Sequence, residues 1–158
     1  MKAKARVALS LLALCIVAGA VGAFSMIREN RQWELSRAAA AGDLATVKRL
    51  VEAGVSVNAA PTSEAGGGSP AFVATAWGGH DKVISFLLDH GAHIDRRDST
   101  GNTALNAAAM RGHLSTAKLL LSRGANPNIG GEGRPLWNAH ARDDAKMADL
   151  LKAHGAAE

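Results

Sequence analysis

One motif recurs four times along the chain: an apolar, helix-like run that ends in glycine followed by a small residue. The glycines are Gly54, Gly91, Gly124 and Gly155, and successive ones are 37, 33 and 31 residues apart. Self-similarity with a period near 33 residues is typical of stacked repeats, in which each unit packs against its neighbours in the chain. The period therefore predicts an all-helical array, whose long surface is suited to binding another macromolecule.

The third unit shows the pattern most clearly. It begins at Asp98 with four turn-forming residues, Asp-Ser-Thr-Gly. An apolar stripe at helical spacing follows from Thr103, a Gly-His break interrupts it at Gly112, and a second stripe runs on towards Gly124. Glycine at that last position is typical of a left-handed helix terminator, so each unit is predicted to contain a turn and two helices.

These residues resemble the ankyrin repeat, a helix-turn-helix unit with a hairpin-like finger, and in particular small exported bacterial proteins of that family. The first and last units have the features of caps, because polar Arg49 interrupts one apolar stripe and Asp143 and Asp144 replace the Gly-His break. The resemblance implies an all-α ankyrin-repeat solenoid over residues 31–158. Its units are expected at about 31–60, 61–97, 98–130 and 131–158.

Residues 1–30 are predicted to be a signal anchor or a signal peptide. Three basic residues precede an uncharged run, Val7–Ile27, which as a helix would span about 31 Å and could cross a membrane. The basic flank predicts that the N-terminus stays in the cytoplasm and the body is exported. The favoured interpretation is a single-pass protein of a bacterial inner membrane with its body in the periplasm. The alternative is a soluble periplasmic protein after cleavage near Ala23.

Small residues in this apolar run fit both interpretations. They could precede a signal-peptidase site, or they could form a small-xxx-small face that packs against another membrane helix. The residues are Ala18, Gly19, Gly22 and Ala23.

The charge of the chain argues against a nucleic-acid partner. The formal net charge is +4, but three of the 18 basic residues lie in the first six positions. The remaining 15 nearly balance the 14 acidic residues, and no basic stripe marks the repeats.

No motif in the sequence indicates an enzyme, a cofactor or a small-molecule substrate. The pair His90 and His93 is the nearest approach to a metal motif, but it crosses a predicted helix end and has no evident third ligand. We therefore expect a non-catalytic protein-binding module with no cofactor and no metal. Two alternatives stay open: an immunity-type inhibitor of a periplasmic effector, and an accessory subunit of a membrane complex held through its anchor helix.

The resemblance also implies where a protein partner binds, because ankyrin-type arrays use the finger tips and the exposed ends of the first helices. Trp77 stands out there, since a large aromatic side chain on an alanine-rich surface is the kind of residue that dominates binding energy. Its alternative role is packing against the neighbouring helix. The predicted partner-binding residues are Trp77, Gly78, Arg96, Arg97, Ser99, Thr100, Asn102, Met110, Arg111, Arg134 and Arg142.

Overall fold

The computed structural model describes residues 30–60, 69–130 and 133–157. Within these ranges the chain forms eight helices and no β-strand, so the predicted all-α class is confirmed for the part described. Helix α1 occupies residues 30–40. The others are α2 (Leu44–Glu52), α3 (Ala71–Gly78), α4 (Asp81–Asp89), α5 (Ala104–Arg111), α6 (Leu114–Ser122), α7 (Pro135–Ala141) and α8 (Ala145–Ala153).

The helices form four consecutive pairs that stack side by side. First helices contact first helices, as α5 does with both α3 and α7, and second helices contact second helices, as α4 does with both α2 and α6. This arrangement follows from the sequence period, because one pair cannot cover its own apolar stripes and each pair needs a neighbour.

Alanine sets the close packing of the first helices. In α5, the six residues of Ala104–Ala109 are all buried, four of them alanines. The second helices bury larger side chains along one face, such as Leu120 and Leu121 in α6. The core therefore runs along the whole array between the two layers of helices.

A left-handed residue separates the two helices of each pair. Gly79 and Gly112 have φ angles of 71° and 72°, which glycine adopts without the strain that a side chain brings. A Cβ atom on Gly112 would also lie only 2.9 Å from Nη2 of Arg142 in the next pair. In the last pair, Asp143 takes this conformation with a φ of 56°.

Side-chain caps start several of the helices. Thr103 and Asn106 form a reciprocal capping box at the start of α5. Asp144 caps α8 by accepting a hydrogen bond from the Met147 backbone N–H at 3.0 Å. Asp43 caps α2 in the same way, and hydrogen bonding from Thr46 holds the pKa of the Asp43 carboxyl below its ordinary value.

Each break also carries a hydrogen bond to the pair before it. His80 Nε2 donates to the Ala40 carbonyl at 2.9 Å, and His113 Nε2 donates to the Trp77 carbonyl at 3.1 Å. Both carbonyls lie at or beside the C-terminal end of a first helix, where intrahelical donors are lacking. In the last pair, Arg142 Nη1 reaches the Met110 carbonyl at 3.2 Å and makes the equivalent bond.

A second set of bonds joins the loops that follow the second helices. Asn58 Nδ2 donates to the Gly91 carbonyl at 2.8 Å, and Asn58 Oδ1 accepts from the His93 backbone N–H at 2.8 Å. Asn128 makes the same two bonds with Gly155 and Ala157. Asp95 occupies the equivalent place between them and accepts from the Asn126 N–H at 3.0 Å.

The finger of the third unit differs from the hairpin-like shape that the sequence predicts, and the predicted membrane span cannot be located in the described ranges. The finger at 98–102 is a tight turn without a strand ladder, closed by a bond from the Asp98 N–H to the Asn102 carbonyl at 2.9 Å. The predicted membrane span, Val7–Ile27, lies outside the described residues, as does its small-residue face. Among the described residues, no helix is long and apolar enough to span a bilayer.

Candidate interaction surface

The predicted contact residues fall into two groups at opposite ends of the first helices. The first group, called here the helix-end group, comprises Trp77, Gly78, Met110, Arg111 and Arg142. The second, called the finger group, comprises Arg96, Arg97, Ser99, Thr100 and Arg134. An eight-residue helix such as α5 is about 12 Å long, so one extended partner segment could touch both groups.

Trp77 and Arg111 meet across two neighbouring pairs. The Arg111 guanidinium carbon lies 5.8 Å from the centroid of the Trp77 ring, within the range of a cation–π interaction. Trp77 is half-buried and packs against the core, whereas Arg111 is exposed. The indole therefore takes part in packing and still presents part of its surface to solvent beside a positive charge.

Gly78 has a structural reason to lack a side chain. A Cβ atom there would overlap the His80 ring and lie 3.0 Å from the Ala40 carbonyl oxygen. Any larger residue would therefore displace the bond that His80 makes to Ala40. Gly78 itself is exposed, so it also leaves backbone accessible beside Trp77.

Arg97 ties the finger to the next unit. Its Nε donates to the Gly101 carbonyl at 2.9 Å and its Nη2 donates to the Gly130 carbonyl at 2.8 Å. These bonds hold an exposed guanidinium in place at the finger tip. In contrast, Arg96 and Arg134 are exposed, and their side chains have no hydrogen-bonding or ionic partner among the described residues.

Asn102 is placed differently from the rest of the predicted contact set. It is only 4 % exposed, and its Nδ2 donates to the Thr100 hydroxyl at 2.8 Å. Its backbone N–H donates to Asp98 Oδ1 at 2.9 Å. Asn102 therefore shapes the finger from inside, and we leave it out of the surface.

Sequence reasoning missed the most exposed large apolar side chains of the described chain. Trp33 in α1 is 43 % exposed and Trp137 in α7 is 61 % exposed. Both lie in first helices at the two ends of the array. Alignment of the four units in one register could have identified them, because the inner units have other residues at these positions.

In the histidine pair considered as a metal motif, the His90 ring makes local contacts. His90 Nδ1 bonds to the Phe86 carbonyl at 2.8 Å, and its ring packs on Phe86 with centroids 4.0 Å apart. No cluster of three or more potential ligands occurs within 30–60, 69–130 and 133–157.

The family follows from a match that covers more than half of the chain. Residues 35–130 match the family model described as ankyrin repeats in three copies. The chain belongs to the ankyrin-repeat family. The predicted resemblance is thereby confirmed at the level of the family, and ankyrin repeats are non-catalytic scaffolds for protein-protein interaction. That agrees with the expectation of a binding module.

Several curated ankyrin-repeat proteins are similar to the chain. Mouse "Ankyrin repeat and SOCS box protein 16" is 40 % identical over 98 residues, 56 % of this chain and 21 % of that protein. "Ankyrin repeat and KH domain-containing protein mask-1" of Caenorhabditis elegans is 39 % identical over 80 residues, 51 % of this chain and 3 % of that protein. A "Putative ankyrin repeat-containing protein" of Treponema pallidum is 35 % identical over 92 residues, 56 % and 31 % respectively. The chain thus spans less than a third of each of these relatives.

These findings correct the predicted location. The similar proteins come mostly from animals. Similarity to these proteins overturns the prediction of a bacterial inner-membrane or periplasmic location. The predicted membrane contact through Val7–Ile27 lies outside the described residues and stays a prediction.

Proposed function

We propose that the chain binds an acidic, partly apolar segment of a protein partner along the helix-end and finger groups. The observation that carries the proposal is the Trp77–Arg111 contact, which places an accessible aromatic edge beside an exposed cation. Aromatic and arginine side chains are the residues most enriched among those that dominate binding energy.

The charge of the two groups supports an acidic segment. Both groups together contain five exposed arginines, Arg96, Arg97, Arg111, Arg134 and Arg142, and no acidic residue. Arginine binds carboxylates in a bidentate geometry that lysine cannot match. A peptide rich in aspartate or glutamate with one apolar anchor would therefore complement this surface better than a basic or neutral one.

The proposed binding domain comprises the repeat units at about 31–60, 61–97, 98–130 and 131–158. Both groups are drawn from the second, third and fourth of these units. A segment that follows the surface would cross two unit boundaries, which explains how a binding site arises from units that are small by themselves.

The test uses charge reversal at matched positions of one unit. Arg111→Glu lies in the helix-end group, and Lys118→Glu changes an exposed residue of α6 in the same unit. Binding would be measured by fluorescence anisotropy against a library of acidic, neutral and basic peptides, with Trp77→Ala as a third variant. We expect acidic peptides to bind the wild type, and Arg111→Glu to weaken binding by about tenfold or more.

Lys118→Glu should leave the affinity within about twofold, because it lies away from both groups and surface charges act weakly at that distance in physiological salt. Equal losses for the two reversals would show general electrostatic attraction and contradict the proposed surface. Binding that survives Trp77→Ala unchanged, in a folded variant, would remove Trp77 from the site.

A further inference from the structure

One position of the first helices, six residues before the left-handed residue of each break, lies at the contact with the next unit of the array. Ser36 Oγ donates to the Ser69 carbonyl at 2.9 Å, and Asn106 Nδ2 donates to the Gly133 carbonyl at 2.7 Å. Each acceptor precedes the following first helix by two residues. Val73, the equivalent residue of α3, is fully buried. The three inner positions are thus interface residues between consecutive units.

Trp137 occupies this same position in α7 and is 61 % exposed. A stacking position that carries a large apolar side chain left exposed among the described residues indicates a contact surface for another molecule. The surface is continuous with the established stacking of α3, α5 and α7, because it uses the same face of the same helix in each unit.

The opposite end of the array also leaves residues of its first helix exposed. Arg37 in α1 is exposed, whereas its equivalents Ala74, Ala107 and Asn138 are all buried. Trp33 lies on α1 four residues earlier and is 43 % exposed. The first helix thus leaves exposed a position that is buried in the later first helices, and it carries an exposed aromatic side chain about one turn earlier.

The second helices show which charges would meet if the stacking continued. Lys48, the fifth residue of α2, lies with its Nζ 5.8 Å from the ring of Phe86, the sixth residue of α4. The fifth residue of α8 is Asp149 and the sixth residue of α2 is Arg49, whose Nη2 lies 2.6 Å from Glu34 Oε1 of the same chain. One further step of the same stacking, from the last pair of one copy to the first pair of another, would place Asp149 against Arg49.

We propose that a second copy of this chain docks on the C-terminal end of the array and continues it head to tail. Trp137 and Asp149 of one copy lie against Trp33 and Arg49 of the next. The contact is heterologous, since different surfaces of the two copies meet, and each added copy presents the same free end again. Association therefore grows into chains of copies as the protein concentration rises.

The stacking geometry supplies a cross-linking test. Within the chain, Thr116 Oγ1 of α6 donates to Asp81 Oδ1 of α4 at 2.6 Å, and these are the third and first residues of their helices. Thr46 and Ala145 are the equivalent residues at the two ends of the array. In full-length protein with Cys15→Ser, one variant would carry Thr46→Cys and a second would carry Ala145→Cys.

Mild oxidation of the mixture should give a cross-linked dimer that neither variant forms alone. Mixing Ala145→Cys with Lys118→Cys, which places the thiol on an exposed position within the array, should give no specific product. Trp137→Ala in the Ala145→Cys chain should lower the yield by about tenfold, as loss of a central aromatic contact does.

Charge exchange separates this interface from unspecific association. Asp149→Arg in the Ala145→Cys chain should reduce cross-linking severalfold, and Arg49→Asp in the partner chain should restore it. Circular dichroism would confirm that each variant is folded. Equal products from single variants and mixtures would indicate a symmetric or random contact and overturn the proposal. A chain that sediments as a monomer up to about 1 mM would also overturn it, because weak specific interfaces associate in that range.

Discussion

The third and fourth units share a left-handed break and a hydrogen bond to the preceding unit, but they form both with different residues. The third unit separates its helices with Gly112 and bridges back with His113, whereas the fourth uses Asp143 and Arg142. The third unit buries Asn106 at its stacking position, and the fourth unit exposes a tryptophan at the equivalent place. The geometry of the repeat is therefore conserved within this chain where its sequence is not.

The difference follows from the number of neighbours. The third unit lies between two others, so residues on both of its faces must fit a neighbouring unit. The fourth unit contacts another unit of this chain on one side. Its backward-facing bond from Arg142 to the Met110 carbonyl is kept, while its forward-facing position is not covered by another unit among the described residues. The constraint on a residue thus depends on which face of the unit it occupies.

The largest contrast is expected at the stacking position. Asn106→Ala should lower the free energy of unfolding by about 1–3 kcal/mol, because it removes half of the capping box and leaves the Gly133 carbonyl without its bond. Trp137→Ala in dilute protein should change it by less than about 0.5 kcal/mol, as for an exposed site. Urea unfolding followed by circular dichroism would measure both, and a larger loss for Trp137→Ala would reverse the comparison.

The second contrast lies at the helix break. Gly112→Ala should lower the free energy of unfolding by about 1–2 kcal/mol, because alanine is strained at a φ of 72° and its Cβ would crowd Arg142. Asp143→Gly should raise the free energy of unfolding by about 0.5 kcal/mol. Glycine relieves the strain of the positive φ, and this gain exceeds the extra backbone entropy that glycine loses on folding. Thermal unfolding of the two variants would show shifts of opposite sign, and a lowered Tm for Asp143→Gly would contradict the account.

A smaller effect is expected from the backward bridges. His113→Ala should lower the free energy of unfolding by about 1 kcal/mol, because it removes the bond to the partly buried Trp77 carbonyl. Arg142→Ala should cost less, about 0.5 kcal/mol, since its bond is exposed and water can replace it. Hydrogen exchange at the amides of α3 and α5 would localise the two losses. Identical exchange rates in both variants and the wild type would show that the bridges do not contribute.

The smallest effect concerns the loop bonds. Asp95→Asn should raise the free energy of unfolding by about 0.5 kcal/mol, because an amide keeps the bond from Asn126 and adds a donor for the Gly124 carbonyl. Asn58 and Asn128 already make the equivalent bonds to the Gly91 and Gly155 carbonyls. Chemical unfolding in parallel with Asp95→Ala, which should be less stable than the wild type, would check the sign. A destabilised Asp95→Asn would mean that the middle loop differs from its neighbours.

The sequence was sufficient for the helices and their breaks because these depend on local signals. Apolar spacing predicts α5 and α6, and the positive φ of Gly112 and Gly124 agrees with their predicted places at a break and a helix end. Residues that act across units were harder to predict. Arg97 reaches a carbonyl 33 residues away, and Asn102 is buried by a turn that Asp98 organises.

The surface itself could be predicted only in part for the same reason. Exposure of Trp33 and Trp137 depends on whether a neighbouring unit covers them, and that is a property of the assembled array rather than of the local sequence. Trp77 was recognisable as an unusual residue, but its contact with Arg111 joins two units. Whether it binds a partner stays a prediction.

The bonds between units recur in nearly the same register, and this has a consequence for how the chain can change length. A duplicated segment of one repeat length, such as 71–103, supplies at its new junction a histidine for the preceding carbonyl and a polar loop residue for the following amide. A duplication out of register separates those partners. We therefore expect a chain lengthened or shortened by whole units to keep these bonds, and a chain with a few residues inserted inside a helix pair to lose them.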